Sequence, residues 1–236
     1  MDYKEGEVLY FDKPLYWTSF NLVGRVRWAL CKYLGVKKLK VGHAGTLDPM
    51  ATGVMILCTG KATKMITALQ AQDKEYEAVL RLGATTPSYD TEHEPDAFYP
   101  TEHITEDKVL EVLRKFQGTV MQVPPVFSAV KVDGRRAYDY ARKGKDVKIE
   151  AKPVEISGIE LLEYSMPEIR IRVVCGKGTY IRSLARDIGE ALGSGAYLTS
   201  LRRTRVGGIR VEDCMTFPAF KAMLGQYDDK EETQEE

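Results

Sequence analysis

Among the side chains of this sequence, the carboxylate of Asp48 is the best candidate for a reactive group. It lies in a loop at residues 41–53, together with His43 and three glycines. A carboxylate held in a fixed position can act as a nucleophile or as a general base. Pro49 follows it and pushes the backbone of Asp48 away from the α region toward an extended form. Asp-Pro is also an ordinary turn dipeptide, so a purely structural role stays open at this point.

The elements around this loop are suited to hold it rigidly. The apolar run at residues 54–58 follows directly and predicts a buried strand. Glycine accepts positive φ and lets another backbone or a ligand come close. A helix is predicted from Thr18 or Ser19 to about Leu34, where Gly35 ends it. Its predicted buried face consists of Phe20, Val23, Val26, Leu30 and Leu34.

Strand and helix patterns follow each other irregularly along the rest of the chain. Strands are predicted at residues 6–13, 74–83, 153–162, 168–174 and 197–205. Helices are predicted at residues 61–70, 105–116 (ended by Gly118), 136–142, 178–188 (closed by Gly193) and 216–224, and a polar loop at 84–100. The buried face of the helix entered at 178–188 is predicted to hold Ile181, Leu184, Ile188 and Ala191. Because strict βαβ alternation is missing, an α+β fold with a mixed sheet is favoured over a doubly wound fold.

The loop sequence GHAGTLDPMATG at residues 42–53 resembles the catalytic-aspartate motif of the bacterial TruB-type tRNA pseudouridine synthases. Members of that family isomerise the uridine at position 55, in the T-loop of tRNA. The resemblance implies that Asp48 is the catalytic residue and that the fold is the pseudouridine synthase fold, with a largely antiparallel sheet flanked by helices.

Four further segments resemble the family in the family's order, and together they span nearly all of residues 7–217. These segments are KEY at 74–76, the insertion at 124–131 with 138–144, GTYIRSL at 178–184 and LRRTRVG at 201–207. The family's tyrosine in the first segment stacks on the target uracil, its insertion clamps the T-arm, and its arginine in the third pairs with the catalytic aspartate. The resemblance therefore implies catalytic roles for Asp48, Tyr76 and Arg182.

It also implies that His43, Tyr76, Tyr180 and Leu201 contact the substrate. Each of these residues has a structural alternative. Tyr76 could be a half-buried strand tyrosine, Tyr180 a helix-packing residue, Leu201 a core residue and His43 a loop cap. Arg182 could form a surface ion pair.

Pseudouridine formation breaks the C1′–N1 bond of the ribose and joins C1′ to C5 of the same base. This isomerisation is redox-neutral, so no cofactor is expected. Three routes remain open for Asp48: attack on C1′, attack on the base, or removal of the ribose 2′ proton. The C5 proton must also leave, and Tyr76 is a candidate base, although a free phenol with a pKa near 10 is a weak one. An arginine near a carboxylate favours its ionised form.

The composition excludes several other classes of protein. No apolar run reaches the length of a membrane span, and the first residues do not form a signal peptide, so a cytoplasmic protein is expected. The four cysteines lie far apart and predict buried free thiols, and the three histidines lack the spacing of metal ligands. GKAT at residues 60–63 fails as a phosphate-binding loop because Ala62 follows the lysine.

The net charge is zero, yet the acidic and basic residues are unevenly distributed along the chain. The last eleven residues, 226–236, hold six acids and one lysine, so the rest of the chain carries about +5. Basic clusters occur at residues 32–40, 135–145 and 202–210 and are compatible with a phosphate backbone, although a solvated surface is an equal alternative from charge alone. The family resemblance implies tRNA, through its T-arm, as the partner. The predicted organisation is a single catalytic domain at 1–225, with an insertion at about 124–152, and a disordered acidic tail at 226–236.

The stretch after Gly208 is too short for the PUA domain that many family members carry, so the chain resembles the short bacterial form, and a monomer is expected. An RNA-binding protein without turnover is the main alternative, but it needs neither an acid at position 48 nor an arginine at position 182. A nucleoside hydrolase is a second alternative. Such enzymes usually use paired carboxylates or a metal, and no second acid lies in residues 41–53.

Overall fold

The computed structural model of the chain describes residues 1–128, 130–132, 134–141 and 148–225. The acidic tail and the basic residues Arg142, Lys143 and Lys145 lie outside these ranges. The helices are α1 Ser19–Leu34, α2 Ile66–Ala71, α3 Glu106–Lys115, α4 Ala137–Ala141, α5 Ile181–Ala191 and α6 Phe217–Met223, with short 3-10 helices at Gly60–Met65 and Val211–Asp213. The strands are β1 Val8–Lys13, β2 Val41–His43, β3 Ala51–Thr59, β4 Lys74–Leu82, β5 Ala84–Thr85, β6 Ala97–Phe98, β7 Gly118–Gln122, β8 Lys131–Val132, β9 Arg135–Arg136, β10 Lys152–Ser165, β11 Glu168–Cys175, β12 Ala196–Val206 and β13 Ile209–Arg210.

The backbone divides into two compact units. Among the described residues, unit 1 consists of residues 1–70 and 208–225, and unit 2 of those between 71 and 207. Both contain antiparallel strands and helices. The predicted α+β class is therefore confirmed, whereas a single catalytic domain over residues 1–225 stays a prediction.

In unit 1, β3 pairs with β1 on one side and with β2 on the other, both antiparallel. The prediction of a buried strand after Asp48 is confirmed, because nearly every residue of β3 is buried. Helices α1 and α6 supply much of the core on which these strands pack. The Phe11 and Phe220 rings meet edge to face, with centroids 5.2 Å apart.

Helix α1 forms where the sequence predicts it, because both ends carry local signals. The Thr18 hydroxyl accepts a hydrogen bond from the Asn21 N–H, and the Asn21 side chain accepts one from the Thr18 N–H, both at 2.9 Å. Gly35 ends the helix in the left-handed conformation, with φ of 62°. The predicted buried face is wrong at Phe20, whose side chain is 73% exposed, because Leu22 occupies the core instead.

Unit 2 is built on five antiparallel strands in the order β12–β4–β11–β10–β7. Alternate residues of β4 and β11 are buried, and register pairs such as Leu80 with Ile169 and Ala78 with Ile171 place them on one face. Helix α5 packs against β12 and β4, while α3 packs against β10 and α5. The predicted buried face of α5 is confirmed for Ile181, Leu184 and Ile188, but Ala191 is exposed.

Two further predictions need correction. Helix α3 ends at Lys115 and is capped by Phe116, so Gly118 does not end it as predicted. Gly118 instead begins β7, which pairs with β10. The stretch at residues 84–100 contains β5 and β6 and buries polar side chains, so it is more than a polar loop. The polar composition of this stretch predicts a solvent-exposed loop. Hydroxyl and carboxylate side chains can nevertheless be buried when they find hydrogen-bond partners.

The four cysteines are free thiols, and Cys58 and Cys175 are buried, as predicted, whereas Cys31 and Cys214 are only partly so. Within the part of the chain that the structure describes, none of the helices has the length and apolar composition that a membrane crossing needs.

Candidate active site

Asp48 lies in a tight turn of unit 1 between β2 and β3. The Ala51 N–H donates to the Asp48 carbonyl at 3.0 Å, and this bond closes the turn over Pro49. Gly45 and Gly53, with φ of 115° and 105°, bracket the turn in conformations that disfavour residues with a Cβ. Asp48 itself is half-buried. The turn that composition alone predicts is therefore present, and it leaves the carboxylate on a fixed backbone.

The side chain of Ser19, the first residue of α1, anchors this turn. Its Oγ accepts a hydrogen bond from the Leu47 N–H at 2.8 Å and donates one to the Leu47 carbonyl at 2.9 Å. Both residues are buried. One hydroxyl thus fixes both main-chain polar groups of the residue that precedes Asp48.

The turn is also anchored on its other side. The Tyr16 N–H donates to the Pro49 carbonyl at 2.8 Å, and Tyr16 has a positive φ of 66°. Lys13 is fully buried at the end of β1, and its Nζ donates to the carbonyls of Pro14 and Trp17 at 2.8 and 2.6 Å. These bonds hold the connection between β1 and α1 in the shape that meets Pro49.

His43 is the last residue of β2 and lies opposite Leu57 of β3. Its side chain is half-buried. His43 therefore lies where the chain leaves β2 and enters the segment that carries Asp48.

Tyr76 and Leu201 lie on one face of the sheet in unit 2. Tyr76 of β4 is opposite Arg203 of β12, and Ala78 is opposite Leu201, so Tyr76 and Leu201 are diagonal neighbours. Tyr76 is 8% exposed and Leu201 is partly buried. The structure therefore brings these two predicted contact residues together, beside the buried side chain of Arg203.

Tyr180 is the residue that caps the N-terminus of α5, and Gln122 holds it there. The Tyr180 N–H donates to Gln122 Oε1 at 2.8 Å, and Gln122 Nε2 donates to the Tyr180 carbonyl at 3.1 Å. Gln122 is 2% exposed at the end of β7. The side-chain amide therefore fixes the main chain at the point where α5 begins.

Arg182 is buried in the first turn of α5 rather than paired at the surface. Its Nη1 donates to the Ser88 carbonyl at 3.3 Å and its Nη2 to the Phe127 carbonyl at 2.9 Å. Its Nε lies 3.7 Å from Asp90 Oδ2, and both side chains are 6% exposed. The guanidinium is thus held on several sides, and Asp90 is a buried carboxylate beside it.

The electrostatics around these residues depend on burial. The pKa of Lys74, two residues before Tyr76, is lowered because burial disfavours the ammonium and because Arg203 is a nearby like charge. Burial raises the pKa of the Asp187 carboxyl on α5, although a hydrogen bond from Arg186 opposes the shift. Among the described residues, no group of three or more His, Cys, Asp or Glu side chains is arranged to hold a metal ion.

The insertion predicted at residues 124–152 lies only partly within the described ranges. Its start is connected to Arg182, whose Nη2 donates to the Phe127 carbonyl at 2.9 Å. Just before it, the Val123 carbonyl accepts a hydrogen bond from Ser183 Oγ at 2.8 Å. The Phe127 ring lies 4.9 Å from the ring of His93, centroid to centroid.

Three residues with positioning roles were not found from the sequence: Ser19, Asp90 and Gln122. Each acts on a residue far away along the chain, 28 positions for Ser19 and 58 for Gln122. A serine near a helix start, an aspartate in a polar stretch and a glutamine in a strand are all common, so the sequence carried no signal for them.

Comparison with known proteins gives the family. A sequence profile described as TruB family pseudouridylate synthase (N terminal domain) matches residues 32–181, and one described as tRNA pseudouridylate synthase B C-terminal domain matches residues 182–235. The tRNA pseudouridine synthase B of Phocaeicola vulgatus is 65% identical over 231 residues, covering 98% of each chain. That of Flavobacterium johnsoniae is 50% identical over 224 residues, covering 94% of this chain and 98% of the relative.

A solved structure, that of a Cbf5-Nop10-Gar1 complex, contains a chain with the same fold. It matches with a TM-score of 0.67 and 33% identity over 91% of the present chain, which spans about half (53%) of the length of that chain. Together with the two profiles, these matches show that the chain belongs to the TruB family of pseudouridylate synthases.

Proposed function

We propose that the chain converts the uridine at position 55 in the T-loop of tRNA into pseudouridine, with Asp48 as the catalytic residue. As a TruB-family synthase it is an isomerase that acts on uridine in tRNA. The proposal adds two claims to this family activity: the target uridine is at position 55, and Asp48 is the catalytic residue.

The anchoring of the Asp48 turn is the observation that carries the catalytic assignment. Ser19 fixes Leu47 on one side of Asp48, and Tyr16 fixes Pro49 on the other. These bonds satisfy main-chain polar groups, as any buried turn requires, and they also hold the backbone on both sides of Asp48 in place. A reacting carboxylate needs this, because a misplacement of about 1 Å can cost roughly 10²-fold in rate.

The reaction requires one bond to break and another to form at the same ribose carbon. The C1′–N1 bond breaks, the freed base turns, C1′ bonds to C5, and the C5 proton is lost while N1 gains a proton. An anionic Asp48 can support this by attack on C1′, by attack on the base or by removal of the 2′ proton. No electron acceptor is needed in any of the three routes, and we therefore expect no cofactor to take part.

Tyr76 and Leu201 supply a surface for the extruded base. Their position as diagonal neighbours on one sheet face provides an aromatic ring and an aliphatic side chain together. Extrusion of a base costs a few kcal/mol of stacking and pairing, and an aromatic platform returns roughly 1–3 kcal/mol per base. His43 and Tyr180 are assigned to substrate contacts in the same proposal. The pairing of Arg182 with the catalytic carboxylate stays a prediction.

We expect the enzyme to work as a monomer on the T-arm of tRNA in the cytoplasm, where tRNA is made and used. Sedimentation at several protein concentrations measures the oligomeric state.

The function is tested by incubation of the protein with an unmodified tRNA transcript, followed by mapping of pseudouridine at each position. We expect one product, at position 55. A transcript with cytidine at position 55 is the control and should yield none. Pseudouridine at other positions only would contradict the assigned target, and tight binding without any product would contradict the assigned activity.

A further inference from the structure

A groove with a volume of about 430 Å³ lies on unit 1 between α1 and α6. Its lining residues are Gly24, Arg25, Trp28, Phe217 and Lys221. None of them belongs to the proposed catalytic residues. Gly24 leaves the floor open, because nothing lies within 4 Å of the place where its Cβ would be.

Of the two aromatic residues that line the groove, Phe217 is buried, whereas Trp28 is more exposed than folding requires. Helix α1 buries Leu22, Val26 and Leu30 in the core of unit 1. Its outer face carries Trp28, which is 55% exposed, and Phe20, which is 73% exposed. With Tyr33, which is 54% exposed, α1 presents three large aromatic side chains to solvent. Contiguous exposed apolar surface of this kind marks binding sites.

The charge of the groove is positive. Helix α1 contains Arg25, Arg27 and Lys32 and no acid, and α6 contains Lys221 and no acid. The lysines at residues 37–40 follow α1 directly. Such a surface is complementary to a polyanion.

Cations and aromatic rings are also interleaved in space. The guanidinium of Arg25 lies 4.6 Å from the centre of the Trp17 ring, and the Lys32 ammonium lies 5.2 Å from that of Trp28. A row of aromatic faces next to cations is the arrangement by which proteins bind unpaired nucleotides, with bases on the rings and phosphates on the cations.

The groove is connected to the proposed active site through α1. Ser19 at the start of this helix anchors the Asp48 turn. At about 1.5 Å of rise per residue, Gly24 and Trp28 lie roughly 8 and 14 Å further along the helix axis. The groove therefore lies close enough in space to be reached by another part of a tRNA whose target uridine is bound at Asp48.

We propose that this groove, formed by α1 and α6, binds unpaired nucleotides of tRNA that lie outside the T-arm hairpin. A base stacks on Trp28, while Arg25 and Lys221 contact phosphates. A base-paired stem offers no free base face, which is why the occupant is an unpaired segment. This inference rests on the proposed function, and it assigns a second RNA contact in unit 1.

The test compares two substrates, a full-length tRNA transcript and a T-arm hairpin with the same target uridine. For Trp28→Ala we expect the KM on the full transcript to rise about fivefold or more, the loss of one stacked base. The kcat should stay within about twofold of the wild-type value, since the groove takes no part in the chemical step. On the hairpin, both constants should match those of the wild type.

Matched variants control for generic effects. Lys221→Glu should raise the KM on the full transcript and lower the salt slope of binding by about one. Phe98→Ala removes an exposed aromatic side chain of unit 2, and Lys115→Glu reverses an exposed charge there. Neither of these two substitutions should change the KM on the full transcript relative to the KM on the hairpin. Circular dichroism checks folding, and if Trp28→Ala unfolds, then Lys221→Glu and Trp28→Phe, which keeps a stacking face, decide the question.

Two outcomes would overturn the inference. An unchanged KM for both substrates would assign the groove to another occupant, such as a protein or the acidic residues 226–236. An equal rise for both substrates would place the contact within the T-arm itself. Failure of the wild-type protein to modify either substrate would instead count against the proposed function.

Discussion

Ser19 holds Leu47 by both of its main-chain polar groups, with hydrogen bonds of 2.8 and 2.9 Å to a single hydroxyl. Since Ser19 begins α1, whose inner face is part of the core of unit 1, the position of Asp48 is tied to the packing of a whole helix. The hydroxyl is suited to this task because it donates and accepts at once.

We therefore expect Ser19→Ala to lower kcat for pseudouridine formation by about tenfold or more, since a loosened turn misplaces the carboxylate. The KM for tRNA should change little. Stability should fall by about 1–3 kcal/mol because the buried N–H and carbonyl of Leu47 lose their partner. Single-turnover kinetics and urea unfolding measure the two effects.

Ser194→Ala is the matched control for this change. Ser194 is also a buried serine, and its hydroxyl donates to the Pro100 carbonyl at 3.1 Å. The control should lose stability without losing kcat. Equal effects of the two substitutions on kcat would mean that Ser19 matters for folding alone.

Asp48→Asn should separate chemistry from binding. The amide is nearly isosteric, so the turn and its bonds remain, whereas nucleophilic and basic capability is lost. Binding of T-arm RNA rests mainly on phosphate contacts and should stay within about tenfold of wild type. Turnover should fall at least roughly 10³-fold, as for a group essential to the chemical step. Both are measured on one substrate at one salt concentration.

Asp213→Asn provides the comparison, because Asp213 is an exposed carboxylate of unit 1 that accepts a hydrogen bond from the Arg210 N–H at 3.0 Å. Its turnover should be normal. Wild-type turnover by Asp48→Asn would end the catalytic assignment, and joint loss of binding and turnover would make Asp48 a structural turn residue.

Substitutions at Tyr76 separate stacking from proton transfer. Tyr76→Phe keeps the ring on the sheet face beside Leu201 and removes only the hydroxyl. If the hydroxyl transfers a proton, this variant should bind RNA normally and lose roughly 10²–10⁴-fold in rate. Tyr76→Ala should also weaken binding. We expect Tyr76→Phe to show this loss in rate. Near-normal turnover by Tyr76→Phe would instead leave stacking as the only role of Tyr76.

Two glycines in helices should respond oppositely to alanine. At Gly189 of α5, a Cβ would meet the backbone nitrogen of Ala196 and lie 2.7 Å from the Gly195 carbonyl carbon. Gly189→Ala should therefore destabilise the protein by about 1–3 kcal/mol. Gly24→Ala in α1 meets nothing within 4 Å and should stabilise it by about 0.5–1 kcal/mol. Urea unfolding measures both, and a destabilising Gly24→Ala would contradict the open space at that position.

The buried thiol of Cys175 predicts a loss of stability at alkaline pH. Burial raises its pKa from 9.0 to about 11. Because the folded-state pKa is the higher one, the stabilisation is complete below pH 9 and is lost as the pH rises through 11. The stability advantage of wild type over Cys175→Ala should therefore shrink by about 2 kcal/mol between pH 8 and pH 10.5. Val173→Ala, on the same strand, removes no titrating group, and its difference from wild type should not shrink in this way.

Local signals in the sequence determined many of the elements. Thr18 and Gly35 predict the ends of α1 because capping and positive φ depend on neighbouring residues only. The apolar run after Asp48 predicts β3 for the same reason. The family motif at residues 42–53 also singled out Asp48 and the fold, since a long ordered match needs no knowledge of contacts.

Tertiary structure alone decided which residues hold the candidate site in place. Ser19 meets Leu47, Gln122 meets Tyr180 and Asp90 meets Arg182 across long stretches of chain. It likewise decided that Phe20 of α1 faces outward while Leu22 is buried, because the direction of a helix face is set by what packs against it. Such pairings depend on how distant strands and helices meet, and a short window of sequence contains no information about that.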